Sequence, residues 1–172
     1  MIGIIVMLAH AAFVQAPAPS QAPAHVIAIH ADLESPVASR AMVVLRAFVD
    51  RYPGVAAIEF HLAPPGGELR AVDRAVVAAQ AQNAGLKMAE LILANPGRRS
   101  KDDLVAMARQ LRLDDSAFRD ALGRNAVDGA VAADLAAAAS AKPARPVTVA
   151  IDGQPLNAAI TLGELESRLN VR

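Results

Sequence analysis

Cysteine is absent from all 172 residues, and so is tryptophan. Without a thiol the chain can build no disulfide scaffold, no thiolate metal site and no dithiol redox centre of its own. Neither sign of charge is in excess, with 17 Lys and Arg against 17 Asp and Glu. A nucleic-acid partner is therefore not expected, because such proteins usually carry a basic stripe or a high isoelectric point. The apolar stretch Met1–Val14 is interrupted by His10 and falls short of the roughly 20 residues that span a bilayer. What is present is enough length for one full core, since chains of about 100–200 residues usually form a single domain. At about 150 residues such a fold buries roughly 68–70% of the surface its chain exposes.

Residues 1–16 read as a signal peptide. The apolar stretch ends in Val14-Gln15-Ala16, a small-residue cleavage pattern. No Lys or Arg precedes it, and the competing reading is a buried N-terminal helix of the domain. Residues 17–24 follow as a linker, within the run Ala16–Ala24 (APAPSQAPA), whose repeated prolines forbid helix and favour extended polyproline geometry. The expectation is a periplasmic or otherwise exported domain over residues 25–172, with no membrane contact apart from the signal segment.

From His25 the pattern becomes globular. HVIAIH (His25–His30) suits a strand buried on both faces. Pro36 suits the first turn of a helix, where its missing N–H would be unpaired anyway. Along Pro36–Tyr52, Met42, Leu45, Phe48 and Val49 fall on one side at spacings of three and four. Pro53-Gly54 stops that helix, and VAAIEFH (Val55–His61) follows as a second strand, completing a βαβ unit with a right-handed crossover. Pro64-Pro65-Gly66-Gly67 breaks the chain before a helical region over about residues 68–141. There Glu68–Ala94 is two helices or one interrupted near Gly85. Ser100 caps the next, with Asp102 and Asp103 favourable at its positive end, and Asp114-Asp115-Ser116 starts another. Ala-dense Ala126–Ala141 is read as a tightly packed helix ended by Lys142–Pro146. Val147–Ile151 is a strand, Asp152-Gly153 a hairpin signal, Gln154–Leu156 its partner, and Thr161–Leu169 a closing helix.

Strand, helix, strand, helices, strand, hairpin, strand, helix is the order of an α/β thioredoxin-like fold with a helical insertion between its halves. Asp32-Leu33-Glu34-Ser35-Pro36-Val37-Ala38 resembles the active-site segment Asp-Phe-x-Cys-Pro-x-Cys of DsbA-like thioredoxin-domain proteins. Tyr52–Val55 through Phe60 and Pro64 resembles the second strand and following proline of that family. Arg145-Pro146-Val147-Thr148 with Asp152-Gly153 resembles its cis-proline loop and terminal hairpin. The likeness covers roughly residues 25–170. It implies that Ser35 stands where the nucleophilic cysteine would be, Ala38 where the resolving cysteine would be, and Pro146 at the cis-proline. Arg145 replaces a residue that is usually small or β-branched in the family.

A hydroxyl cannot replace a thiolate in disulfide exchange, which runs through a mixed disulfide. The resemblance instead implies a redox-inactive binding module in which Ser35, Pro36, Arg145 and Pro146 line a groove. An extended peptide or partner protein in the periplasm would add there as a strand. The alternative is glutathione chemistry: Ser35-Pro36 also resembles kappa-class glutathione transferases and 2-hydroxychromene-2-carboxylate isomerases, with Ser35 contacting the glutathione sulfur and Arg145 anchoring a carboxylate. The simplest role for Ser35 is as N-cap of the helix at Pro36. His30 and His61 end adjacent strands, with Asp32 and Glu34 in the adjoining loop, a donor set that suits zinc or copper. Their spacing matches no known ligand motif, so no metal is expected, and no cofactor. Nor is Ser35 set in a Gly-x-Ser-x-Gly elbow that would make it a hydrolytic nucleophile.

Overall fold

The computed structural model describes residues 23–123, 131–133, 135–136 and 146–171. The expected signal peptide therefore lies outside the described residues, as do most of the linker, most of the Ala-dense stretch Ala126–Ala141, and Arg145. Strand β1 is His25–Ala31 and β2 is Ala56–Leu62, paired in parallel with Ile27 opposite Ile58 and His30 opposite His61. Helix α1, Pro36–Arg51, makes the crossover between them. Strand β3, Val147–Ile151, joins the other side of β1 in antiparallel register, with Ala31 opposite Val147. A two-residue β4, Gln154–Pro155, completes the order β2-β1-β3-β4.

Sequence periodicity explains most of this. α1 buries Ala38, Ala41, Met42, Leu45 and Phe48, the three-and-four spacing of an amphipathic helix. It packs on β2 and β3 of the sheet and against the closing helix α6, Leu162–Arg168. α6 is capped by Thr161, whose hydroxyl accepts the Glu164 N–H at 3.2 Å. The Tyr52 hydroxyl donates to Glu166 at 2.8 Å, tying the end of α1 to α6, and that bond raises the Tyr52 pKa above its ordinary value. At the hairpin, Asp152 and Gly153 have φ of 50° and 77°, the two left-handed positions of a type I′ turn. The Asp152 carboxylate reaches back to the start of β1, accepting the Val26 N–H at 2.9 Å and meeting His25 Nδ1 at 2.7 Å.

Within the described part of the insertion the first α-helix starts at Ala71. Helices α2 (Ala71–Gln80) and α3 (Gly85–Ala94) are separate, so the break falls at Ala81–Ala84, where Asn83 turns through φ 58°. α4 (Lys101–Gln110) starts at Ser100 with a reciprocal capping box: Ser100 Oγ accepts the Asp103 N–H at 3.1 Å and Asp103 accepts the Ser100 N–H at 3.2 Å. α5 is Asp115–Gly123, and α2 packs on α3, α4 and α5 around Met88, Met107 and Phe118.

Two expectations are corrected. β1 is not buried evenly on both faces: Ile27, Ile29 and Ala31 are fully buried, whereas Ala28 and His30 between them are half-buried. Alternation along a strand sends neighbours to opposite faces, and a short apolar run does not record that the two faces are covered unequally. The hairpin's second strand is also shorter than Gln154–Leu156. Pro155 has no N–H to extend the ladder, although Leu156 still donates to the Val149 carbonyl at 2.8 Å.

Candidate functional site

The loop from β1 to α1 carries Asp32, Leu33, Glu34 and Ser35, and Pro36 is the first residue of the helix. Ser35 is the N-cap, with φ −82° and ψ 127°, and its hydroxyl oxygen accepts the Val37 N–H at 3.2 Å. Its own N–H donates to the Asp32 carbonyl at 3.0 Å, closing the loop into a tight turn. Ser35 is 8% exposed and Ala38 is fully buried, so both side chains sit beneath the surface. Glu34, Pro36, Val37 and Pro146 are exposed around them.

Pro146 comes to this turn through β3. The Asp32 N–H donates to the Pro146 carbonyl at 3.0 Å, one step beyond the Ala31–Val147 pair of the ladder. The chain entering β3 thus lies beside the N-terminus of α1, and Ser35, Pro36 and Pro146 are brought into one neighbourhood although more than a hundred residues separate them in sequence. The Arg145–Pro146 peptide bond lies outside the described residues, and so does the side chain of Arg145.

Sequence reasoning missed what secures the turn. Arg70, just before α2, donates Nη2 to Asp32, Nη1 to Glu34 at 2.8 Å and Nε to Asp73 at 3.0 Å. Arg99, just before the cap of α4, adds an ion pair to Glu34 at 3.3 Å. Asp73 is completely buried and also accepts the Arg70 backbone N–H at 2.9 Å. Burial pushes the Asp73 carboxyl above its ordinary pKa, while the Arg70 hydrogen bonds pull the other way. Burial alone would lower Arg70, but Asp73 and Asp32 hold it above the usual guanidinium value. Charge-assisted fork geometry of this kind is the strongest class of protein hydrogen bond. One part of the cluster was legible beforehand, because Arg70 and Asp73 stand at i and i+3 on a helix start. Its attachment to Asp32 and Glu34 was not.

The histidine reading changes as well. His30 and His61 are register partners, as expected for strands ending together, and their rings stack with centroids 4.4 Å apart at 15°. Asp32 and Glu34, their supposed companions, turn to the two arginines instead. Among the described residues no group of three or more His, Asp or Glu is arranged to hold a metal ion.

No protein-family model and no curated protein matches the chain. Solved structures do. A thioredoxin-like oxidoreductase from Silicibacter pomeroyi DSS-3 superposes with a TM-score of 0.67 at 16% identity, covering 86% of each chain. The thiol-disulfide exchange protein alpha-DsbA2 from Wolbachia pipientis gives a TM-score of 0.70 at 13% identity, over 87% of this chain and 82% of that one. BdbD from Bacillus subtilis gives 0.65 at 10%, over 87% and 88%. The chain has the DsbA-like thioredoxin fold. At these identities the likeness speaks for the fold alone. Combined with the absence of cysteine, it makes this a redox-inactive version of that fold, since exchange requires a thiolate to attack and a sulfur to leave. Among the described residues no helix is long and apolar enough to cross a membrane.

Proposed function

We propose that the chain binds an extended polypeptide segment beside Pro146 without thiol chemistry, using Ser35, Pro36, Arg145 and Pro146, and that it does so as an exported, periplasmic protein. The observation that carries this reading is the hydrogen bond from Asp32 N–H to the Pro146 carbonyl, at 3.0 Å. It holds the chain entering β3 against the N-terminal turn of α1, leaving exposed Pro36, Val37 and Pro146 as an apolar rim. Strand addition of this kind takes its affinity from main-chain hydrogen bonds and its specificity from small side-chain contacts, so the loss of two thiols need not abolish it. Ser35 serves that site structurally, by capping α1 and holding the turn.

The test is fluorescence anisotropy with a labelled, reduced and alkylated unfolded polypeptide, using the intact chain and the variants Val37→Glu and Pro146→Ala. Saturable binding that both variants weaken is the expected outcome, and no binding by the intact chain would overturn the proposal. Calorimetry with glutathione separates the alternative: saturable binding lost in Ser35→Ala would replace this reading with a glutathione-dependent transferase or isomerase. Export is tested by N-terminal sequencing of the periplasmic protein, which should begin near Pro17.

A further inference from the structure

Helix α1 presents to solvent a strip that nothing among the described residues covers. Arg40, Val43, Ala47 and Asp50 recur at steps of three and four on the face opposite its buried side, and all four are exposed. Val43 is 70% exposed, and among the described residues it and Val37 are the large apolar side chains left exposed. Alongside the strip runs an open groove of about 850 Å³ between α1 and α3, with Met42, Val44, Leu93 and Ala94 in its walls. Its two ends carry opposite charge. Arg40 has no ion pair among the described residues. At the other end a single guanidinium, Arg46, serves two carboxylates, reaching Asp50 at 2.8 Å and Glu90 at only 3.6 Å. Among the described residues Glu90 Oε1 has no hydrogen-bond partner.

The strip is its own complement. Arg40 and Asp50 each stand five residues from Leu45, and Val43 and Ala47 each stand two residues from it. We propose that this face pairs with the same face of a second copy of the chain, about a two-fold axis that runs between the two α1 helices at the level of Leu45. The two α1 helices then run antiparallel, Arg40 of each copy meets Asp50 of the other, and Val43 of each meets Ala47 of the other. Every contact occurs twice, as an isologous interface requires. The small Ala47 lets the axes approach to the roughly 8–10 Å of packed helices. The cation that lacks a partner at one end is delivered to the end where Asp50 and Glu90 share Arg46. The interface stands apart from the Pro146 turn and does not depend on peptide binding there.

Sedimentation equilibrium on the full chain, Arg40→Asp, Asp50→Arg and an equimolar mixture of the two variants tests this. The unaltered chain should dimerise, and each variant alone should be monomeric because like charges then meet at both ends. The mixture should dimerise again, because both end pairs become attractive between unlike copies. Val43→Glu should be monomeric. A chain monomeric from micromolar to millimolar concentration, a dimer that survives in both charge variants, or a mixture that stays monomeric would each overturn the proposal. Circular dichroism matching the unaltered chain confirms that the exposed substitutions leave the fold intact.

Discussion

Replacing Arg70 with methionine probes the turn that holds Ser35. The guanidinium is the shared partner of Asp32, Glu34 and Asp73, and Asp73 is completely buried. Methionine keeps most of the stem and the backbone N–H that Asp73 accepts, so the perturbation removes the charge and the four side-chain hydrogen bonds to Asp32, Glu34 and Asp73. Breaking a buried pair from one side costs about 3–5 kcal/mol, because the remaining charge is left uncompensated. The Arg70 side chain is 30% exposed, so water screens part of the pair, and a loss of about 2–4 kcal/mol is expected. The loss should shrink in acid. Burial already lifts the Asp73 pKa, and without Arg70 it rises further. A carboxyl whose folded pKa exceeds its unfolded value binds its proton more tightly in the folded state, so folding gains as pH falls through that range. Urea unfolding at pH 7 and pH 5 measures both quantities. The double variant Arg70→Met with Asp73→Leu should regain at least half of the loss, since replacing a buried pair by apolar groups is often neutral. A deficit below about 1 kcal/mol, typical of surface pairs, or one equal at both pH values, would refute the role given to this cluster.

Further outcomes concern the degenerate site and acid stability. Ser35→Ala should cost about 1 kcal/mol by urea unfolding, the usual value of an N-cap, and no loss would mean the 3.2 Å bond to Val37 contributes nothing. The pair Ser35→Cys with Ala38→Cys should confer weak insulin reduction on a chain that has none. The thiol at position 35 should titrate below about 8.5, because a helix N-terminus favours a thiolate, and ultraviolet absorbance against pH would expose an unperturbed one. On acidification, Asp103, Asp115 and Asp152 have depressed pKa values, caused chiefly by hydrogen bonds from Ser100, Arg109 and the Val26 N–H. Their contribution is present above the unfolded carboxylate value of about 3.9 and is lost as pH falls through their folded values. Asp73 and Glu90, both raised by burial, act in the opposite sense. Thermal stability should therefore hold or rise from pH 7 to about 5 and fall below about 4, and a steady fall beginning at neutral pH would contradict these assignments.

The order of elements, the Ser35 and Ser100 caps, and the Asp152-Gly153 turn were all readable from residues a few positions apart. Helix stripes, N-caps and type I′ turns are local, their chemistry complete within one turn of helix or one hairpin. The thiol-free site was equally plain, because an absent cysteine needs no coordinates. What the tertiary structure alone decided is which distant side chains meet. Asp32 and Glu34 had two sets of possible partners, the strand-end histidines and any cation carried by the insertion. Only the packing of α2 and α4 brought Arg70 and Arg99 to them and left His30 and His61 stacked on each other. The uneven cover of β1 and the groove between α1 and α3 arose in the same way. Periodicity marks which face of an element is apolar, but which residues lie across from it depends on how the chain crosses over, and no spacing along the sequence encodes that.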